Sequence, residues 1–237
     1  MSTARPVGWK RQAIAILLFG AAFGYVEAAV VTYLRPQFDV LQARFYPQRS
    51  PGELFPMLSA QQVKAAGPEM VRLAATEVIR ESATLIMLGA AAAAVGGNLG
   101  QWFALFLMAF GAWDLSYYAF LKILIDWPKS LLTWDILFLL PVPWSGPVLA
   151  PALVSLTMVG AGLVYVWRES NGRPMRLRAV HWLGVYAAGL IIVAAFTWDY
   201  RSVMAGAVPK GFHWAFFAVG EVLGVTGFLH ALHARDP

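Results

Sequence analysis

The chain of 237 residues contains no cysteine. That absence removes disulfides, thiolate metal ligands, iron–sulfur clusters, cysteine nucleophiles and lipidated cysteines together. Charge is scarce as well: Asp, Glu, Lys and Arg supply 13% of the residues, about half the ~25% of an ordinary soluble domain. A soluble fold of this size could not cover its surface with so few charges. The same composition excludes disorder, coiled coil and collagen. Histidine is confined to His181, His213, His230 and His233, all near the ends of apolar stretches. This placement argues against a bis-histidine haem at a membrane midplane, and the Glu-x-x-His pairs of helical di-iron sites are missing. There is no Walker A run, no Gly-x-Gly-x-x-Gly after a strand, no His-Glu-x-x-His and no Gly-x-Ser-x-Gly, so nucleotide and hydrolase chemistry have no motif to stand on.

Apolar residues are abundant: the hydrophobic fraction is 59% and the mean hydropathy is +0.60. Six stretches are long enough to cross a bilayer, which takes about 17–25 residues each: Ala13–Leu34, Leu73–Val95, Trp102–Leu124, Leu149–Trp167, His181–Trp198 and Trp214–Leu232. These predict an all-α polytopic membrane bundle, a single transmembrane domain over residues 1–237. The first stretch follows Arg5, Lys10 and Arg11 as a signal peptide would. Its apolar run resumes after Glu27, however, and the expectation is a retained helix. The net charge of +5 is spread over span ends with no basic stripe. It suits anionic lipid and topology rather than nucleic acid. The densest basic clusters, Arg5–Lys10–Arg11 and Arg168–Arg173–Arg176–Arg178, share one side if both termini are cytoplasmic. That is the orientation expected, in a bacterial inner membrane.

Two connections carry information. Residues 35–72, broken by Pro36, Pro47, Pro51 and Pro56, read as an outer cap loop, with a helical turn or two from Ser59. Residues 131–140 form an apolar run too short to cross and flanked by Pro141, Pro143 and Pro147. A short interfacial or re-entrant helix is expected there.

The rare charges inside the spans are the candidate site. Glu27, Glu77, Glu81, Asp114 and Glu221, with Arg80, lie at the outer half or midplane of four different spans. Each ionisable group in hydrocarbon costs at least ~2.5–3.5 kcal/mol, so each must face a partner, water or the bundle interior. Glu77, Arg80, Glu81, Thr84 and Leu88 share one helical face, and Tyr117 and Tyr118 lie one turn outward of Asp114. Asp135 approaches from the proline-rich loop. A purely structural network is the competing reading, with Arg80 neutralising Glu77 or Glu81 and a tyrosine bonding Asp114. One arginine cannot balance five acids, which favours a site for a monovalent or divalent cation or a small polar or cationic molecule, in a permease, sensor or carrier-like protein. No other cofactor is predicted. Two alternatives stand beside it. One is a non-catalytic subunit of a larger membrane complex or homo-oligomer, suggested by the small-xxx-small pairs Gly20–Gly24 and Gly220–Gly224. The other is an enzyme acting on a lipid or isoprenoid at the outer leaflet, with the carboxylates as acid, base or Mg²⁺/Mn²⁺ ligands.

Overall fold

A computed structural model describes residues 8–50, 52–175 and 177–233; Arg5 and Arg176, two members of the basic clusters, lie outside them. The chain is an all-α bundle. In order it forms α1 (Trp9–Phe45), α2 (Ala60–Ala65), α3 (Pro68–Val95), α4 (Leu99–Ile125), a hairpin of β1 (Trp134–Phe138) and β2 (Trp144–Pro147), α5 (Leu149–Ser170), α6 (Ala179–Thr197), α7 (Tyr200–Met204) and α8 (Trp214–His233). Six helices are long and apolar enough to cross a membrane: α1, α3, α4, α5, α6 continued through α7, and α8. This is a multi-pass membrane protein.

The helix α4 is the hub. Half of its apolar window is buried, against 17–28% for the others, whose remaining apolar surface faces lipid. Glycines set how closely its neighbours approach. A Cβ on Gly20 would lie 2.6 Å from the Ala109 carbonyl oxygen, and one on Gly24 2.6 Å from that of Trp113, so α1 rides directly on the α4 backbone. Gly111 gives the same intimacy with α5 at Ser155, and Gly220 joins α8 to α6 at Ala188 and Ile192. The small-xxx-small pairs therefore serve helix packing within the chain. The turn between α3 and α4 is fixed by Asn98, which caps α4 by accepting from the Gln101 amide at 2.9 Å.

Two expectations are corrected. First, α1 does not stop at residue 34: it runs on as helix through Pro36 to Phe45, so the outer cap begins after residue 45. A proline removes one backbone bond and bends a helix. Here tertiary contacts carry the helix past it: Leu41 and Gln42 are buried, and the Gln42 amide donates to the carbonyls of Leu54 at 2.9 Å and Pro56 at 3.0 Å. The cap then forms α2, closed by a reciprocal capping box of Ser59 and Gln62.

Second, residues 131–140 are not a helix. Residues 134–138 are the first strand of an antiparallel hairpin, with Trp134 opposite Pro147, Asp135 opposite Gly146, Ile136 opposite Ser145 and Phe138 opposite Trp144. The prolines at 141, 143 and 147 deny a helix its donors, while alternating Trp134, Ile136 and Phe138 suit a strand. A lone two-stranded hairpin is marginal in water; this one is held by its surroundings. The Phe138 ring packs 6.2 Å from Phe110 and 6.1 Å from Trp113, and Trp144 lies 6.4 Å from Phe196. Phe110 stands fifteen residues before the end of α4, about 22 Å along a helix. The hairpin thus drives its tip into the bundle. Its backbone is packed by protein, from α4 on one side and α6 on the other.

Candidate functional site

The site is built from α1, α3, α4 and the hairpin. Arg80 on α3 holds two carboxylates. Its Nε donates to Glu77 Oε2 at 2.9 Å and its Nη2 to Glu77 Oε1, while Nη1 donates to Glu27 Oε2 across to α1. Glu81, one turn beyond Glu77 on α3, instead accepts the backbone N–H of Leu139 in the hairpin at 2.9 Å. The Arg80 partners are therefore Glu77 and Glu27, with Glu81 used to pin the hairpin.

On α4, Asp114 accepts from Ser155 Oγ of α5 at 2.8 Å, and Tyr118 donates to Asp135 Oδ2 at 2.8 Å. The tyrosine that was expected to serve Asp114 thus serves Asp135. Asp135 is 2% exposed, and its Oδ1 accepts the Ile136 amide at 2.9 Å. Burial pushes the Asp135 carboxyl above the usual carboxylate range, opposed by the Tyr118 hydrogen bond, the positive charge of Arg35 and the Ile136 amide. Tyr117 packs between Trp113 and Tyr118, with ring centroids at 6.5 and 5.1 Å.

These groups enclose two adjoining cavities. The inner chamber, about 70 Å³, is walled by Glu27, Glu77, Arg80, Glu81, Trp113, Asp114, Tyr117, Tyr118 and Asp135 together with apolar residues. It has room for about two waters or a small cation. The outer vestibule, about 280 Å³, shares Val31, Glu77, Glu81, Tyr117, Asp135 and Ile136 with the chamber and adds Arg35 from α1. Six carboxylates (Glu27, Asp39, Glu77, Glu81, Asp114 and Asp135) and two guanidinia (Arg35 and Arg80) line the pair of cavities. The excess negative charge has to be balanced by protons, water or a bound cation. The indole N–H of Trp113 in the chamber wall is buried without a hydrogen-bond partner among the described residues, an open donor at the same place.

Glu221 is not part of this site. It accepts from Thr157 Oγ1 of α5 at 3.0 Å and lines a separate apolar crevice of about 460 Å³ between α4–α5 and α6–α8. Shared depth brought four of the five span carboxylates together and left the fifth on another face. The histidines also lie apart. His213 pairs with Asp199 at 3.0 Å, and His181 Nε2 faces His230 Nδ1 at 3.3 Å. Among the described residues no three His, Asp or Glu side chains converge as metal ligands.

Sequence reasoning missed Arg35, Ser155 and Trp113. Arg35 had a legible signal: Glu27, Val31 and Arg35 recur every four residues and so share one helical face. The proline at 36 hid it by suggesting that the helix had ended. Together, fold and site define a helical membrane protein whose β-hairpin closes over a buried acidic chamber. No family model matches the chain, and comparison with curated proteins and with solved structures gives no match either.

Proposed function

We propose that the protein binds a cation or a small polar or cationic molecule in the acidic chamber, as a permease, sensor or carrier-like module. The observation that carries this reading is the charge imbalance: five carboxylates against one guanidinium, that of Arg80, around one small cavity, with a wider vestibule leading to it. An organic ammonium suits the arrangement better than a bare divalent ion, because the carboxylates are spread around the wall instead of converging on a point. The vestibule lies at the hairpin end of the bundle, and the basic residues of the short loops at the other end support a reading in which it opens away from the cytoplasm.

The test is thermal unfolding of the purified chain in detergent with Na⁺, K⁺, Mg²⁺, Mn²⁺ or hexylamine added. A ligand at a hundred times its Kd stabilises the fold by about 2.7 kcal/mol. Stabilisation by at least one of these probes, lost in the Glu81→Gln/Asp135→Asn double variant, is expected. No stabilisation by any probe, or one indifferent to both substitutions, refutes the reading.

The role of assembly subunit has one observation in its favour. The crevice between α4–α5 and α6–α8 is apolar, and two of its glycines, Gly189 and Gly227, the residue type that admits a partner helix, have open space where a Cβ would stand. Co-purification of a second polypeptide in mild detergent would support it, and a monodisperse monomer with full cation response would remove it.

A further inference from the structure

Arg80 and Arg49 are both committed: Arg80 to Glu27 and Glu77, and Arg49 to Asp39 at 2.6 Å and to the Glu53 carbonyl. Arg35 is different. Its guanidinium lies over the Trp127 ring, 4.1 Å from the centroid, and it lines the vestibule. Among the described residues it makes no hydrogen bond or ion pair, and its Nε is buried without a partner. The acid one turn along, Asp39, is taken by Arg49. Asp135 feels the charge of Arg35, but its two oxygens are engaged by Tyr118 and the Ile136 amide. A guanidinium fork held flat by an aromatic ring, with open donors facing a cavity, is a receptor for a carboxylate or phosphate.

The same cavity leads to the acidic chamber. Glu27 and Arg35 stand two turns apart on one face of α1, about 12 Å along the axis. Val31, midway between Glu27 and Arg35 on that face, and Ile136 of the hairpin line both cavities, an apolar throat suited to methylene groups. We propose that the vestibule and chamber together take a bipolar molecule, its carboxylate or phosphate paired with Arg35, its ammonium end among the chamber carboxylates, and an apolar spacer between them. The inference rests on the chamber binding a cationic group, as argued above, and adds the anionic end and the spacer.

The experiment measures binding to the full chain in detergent by titration calorimetry. The probes are hexylamine, hexanoate, 6-aminohexanoate, 6-aminohexyl phosphate and 3-aminopropanoate. One of the two long bipolar probes is expected to bind about tenfold or more tighter than hexylamine, the effect of one charged hydrogen-bonding pair; which of them does so identifies the anion. Arg35→Gln should abolish that advantage while hexylamine still binds, and Arg35→Lys should restore part of it. The short probe should bind no better than hexylamine. Should Arg35→Gln fail to fold, Trp127→Leu, which removes the platform beneath the guanidinium, is expected to shrink the same advantage. If hexylamine binds and neither long bipolar probe gains on it, or if the gain survives Arg35→Gln, the inference is overturned while the cation reading stands. If neither hexylamine nor any bipolar probe binds, the reading beneath it falls. Hexanoate binding to the parent chain but not to Arg35→Gln would then show an anion site at Arg35 alone, overturning the bipolar ligand.

Discussion

Arg80→Leu is the perturbation that most directly tests the chamber. Arg80 holds Glu77 with two hydrogen bonds within α3 and reaches Glu27 on α1 with a third. The side chains are 23% exposed for Arg80, 9% for Glu27 and 16% for Glu77, so solvent screens them little. Removing one partner of a buried ion pair costs about 3–5 kcal/mol, because the charge left behind is uncompensated. For a chain of this length that corresponds to roughly 6–20 °C in Tm. Unfolding of the purified protein in detergent, followed by near-UV circular dichroism, reads the loss. The double variants sharpen it. Glu27 is the more buried carboxylate, so Arg80→Leu with Glu27→Gln should recover more of the loss than Arg80→Leu with Glu77→Gln. Coupling of about 0.5–3 kcal/mol is expected for each. Glu81→Gln, whose hydrogen-bond partner is the Leu139 amide, should couple to Arg80→Leu more weakly than Glu27→Gln does. A Tm for Arg80→Leu within about 1 °C of the parent, or a stronger coupling to Glu81 than to Glu27, would refute the assigned ion-pair network.

Three further outcomes are expected. Gly24→Ala should destabilise by about 1–3 kcal/mol, since its Cβ would stand 2.6 Å from the Trp113 carbonyl and 2.9 Å from the Tyr117 amide; an unchanged Tm would mean that α1 does not ride on α4. Burial raises the Asp135 carboxyl, so the folded protein holds that proton to higher pH than the unfolded chain. Stability from this group is therefore full below about pH 4 and declines as pH rises from there through its folded value. Asp135→Asn should flatten that part of the Tm–pH curve, and parallel curves for parent and variant would contradict the burial argument. In this cysteine-free chain, single cysteines at Leu131 and Leu132, 58% and 63% exposed, should react quickly with a maleimide. A cysteine at Ser145, 4% exposed, should react only after unfolding, and equal rates at all three would rule out the buried hairpin.

The sequence carried the class and much of the site because hydrocarbon imposes strict rules. Twenty apolar residues announce a span, and a charge within one must be answered by something. That rule brought Glu27, Glu77, Glu81 and Asp114 to one chamber on grounds of depth alone. Depth says nothing of azimuth, and Glu221, at similar depth, turned to Thr157 and the other crevice. Identity of partners was also hidden. Spacing along α3 offered Arg80 both Glu77 and Glu81, and only the approach of α1 and the hairpin divides them. The hairpin escaped because its strands answer each other across five intervening residues and draw their stability from Phe110, Trp113 and Phe196 on distant helices. The helix beyond Pro36 escaped for a like reason, since Gln42 and the carbonyls it holds lie on opposite sides of a turn.

The construction of the chamber also dictates an order of events during synthesis. Its walls come from α1, α3, α4 and the hairpin that precedes α5, while α6 and α8 supply none of them. Helices enter a bilayer one after another as hydrophobic segments, but β1 and β2 are too short and too interrupted by proline to enter as one. The hairpin must wait for the helices that hold it, α4 through Phe110 and Trp113 and α6 through Phe196. Until that moment Glu81 has no Leu139 amide and Tyr118 no Asp135, and the nascent protein carries its acidic residues in a half-open trough. The helix α6, whose Phe196 backs Trp144, emerges after the chamber walls and completes the support of the hairpin that closes them.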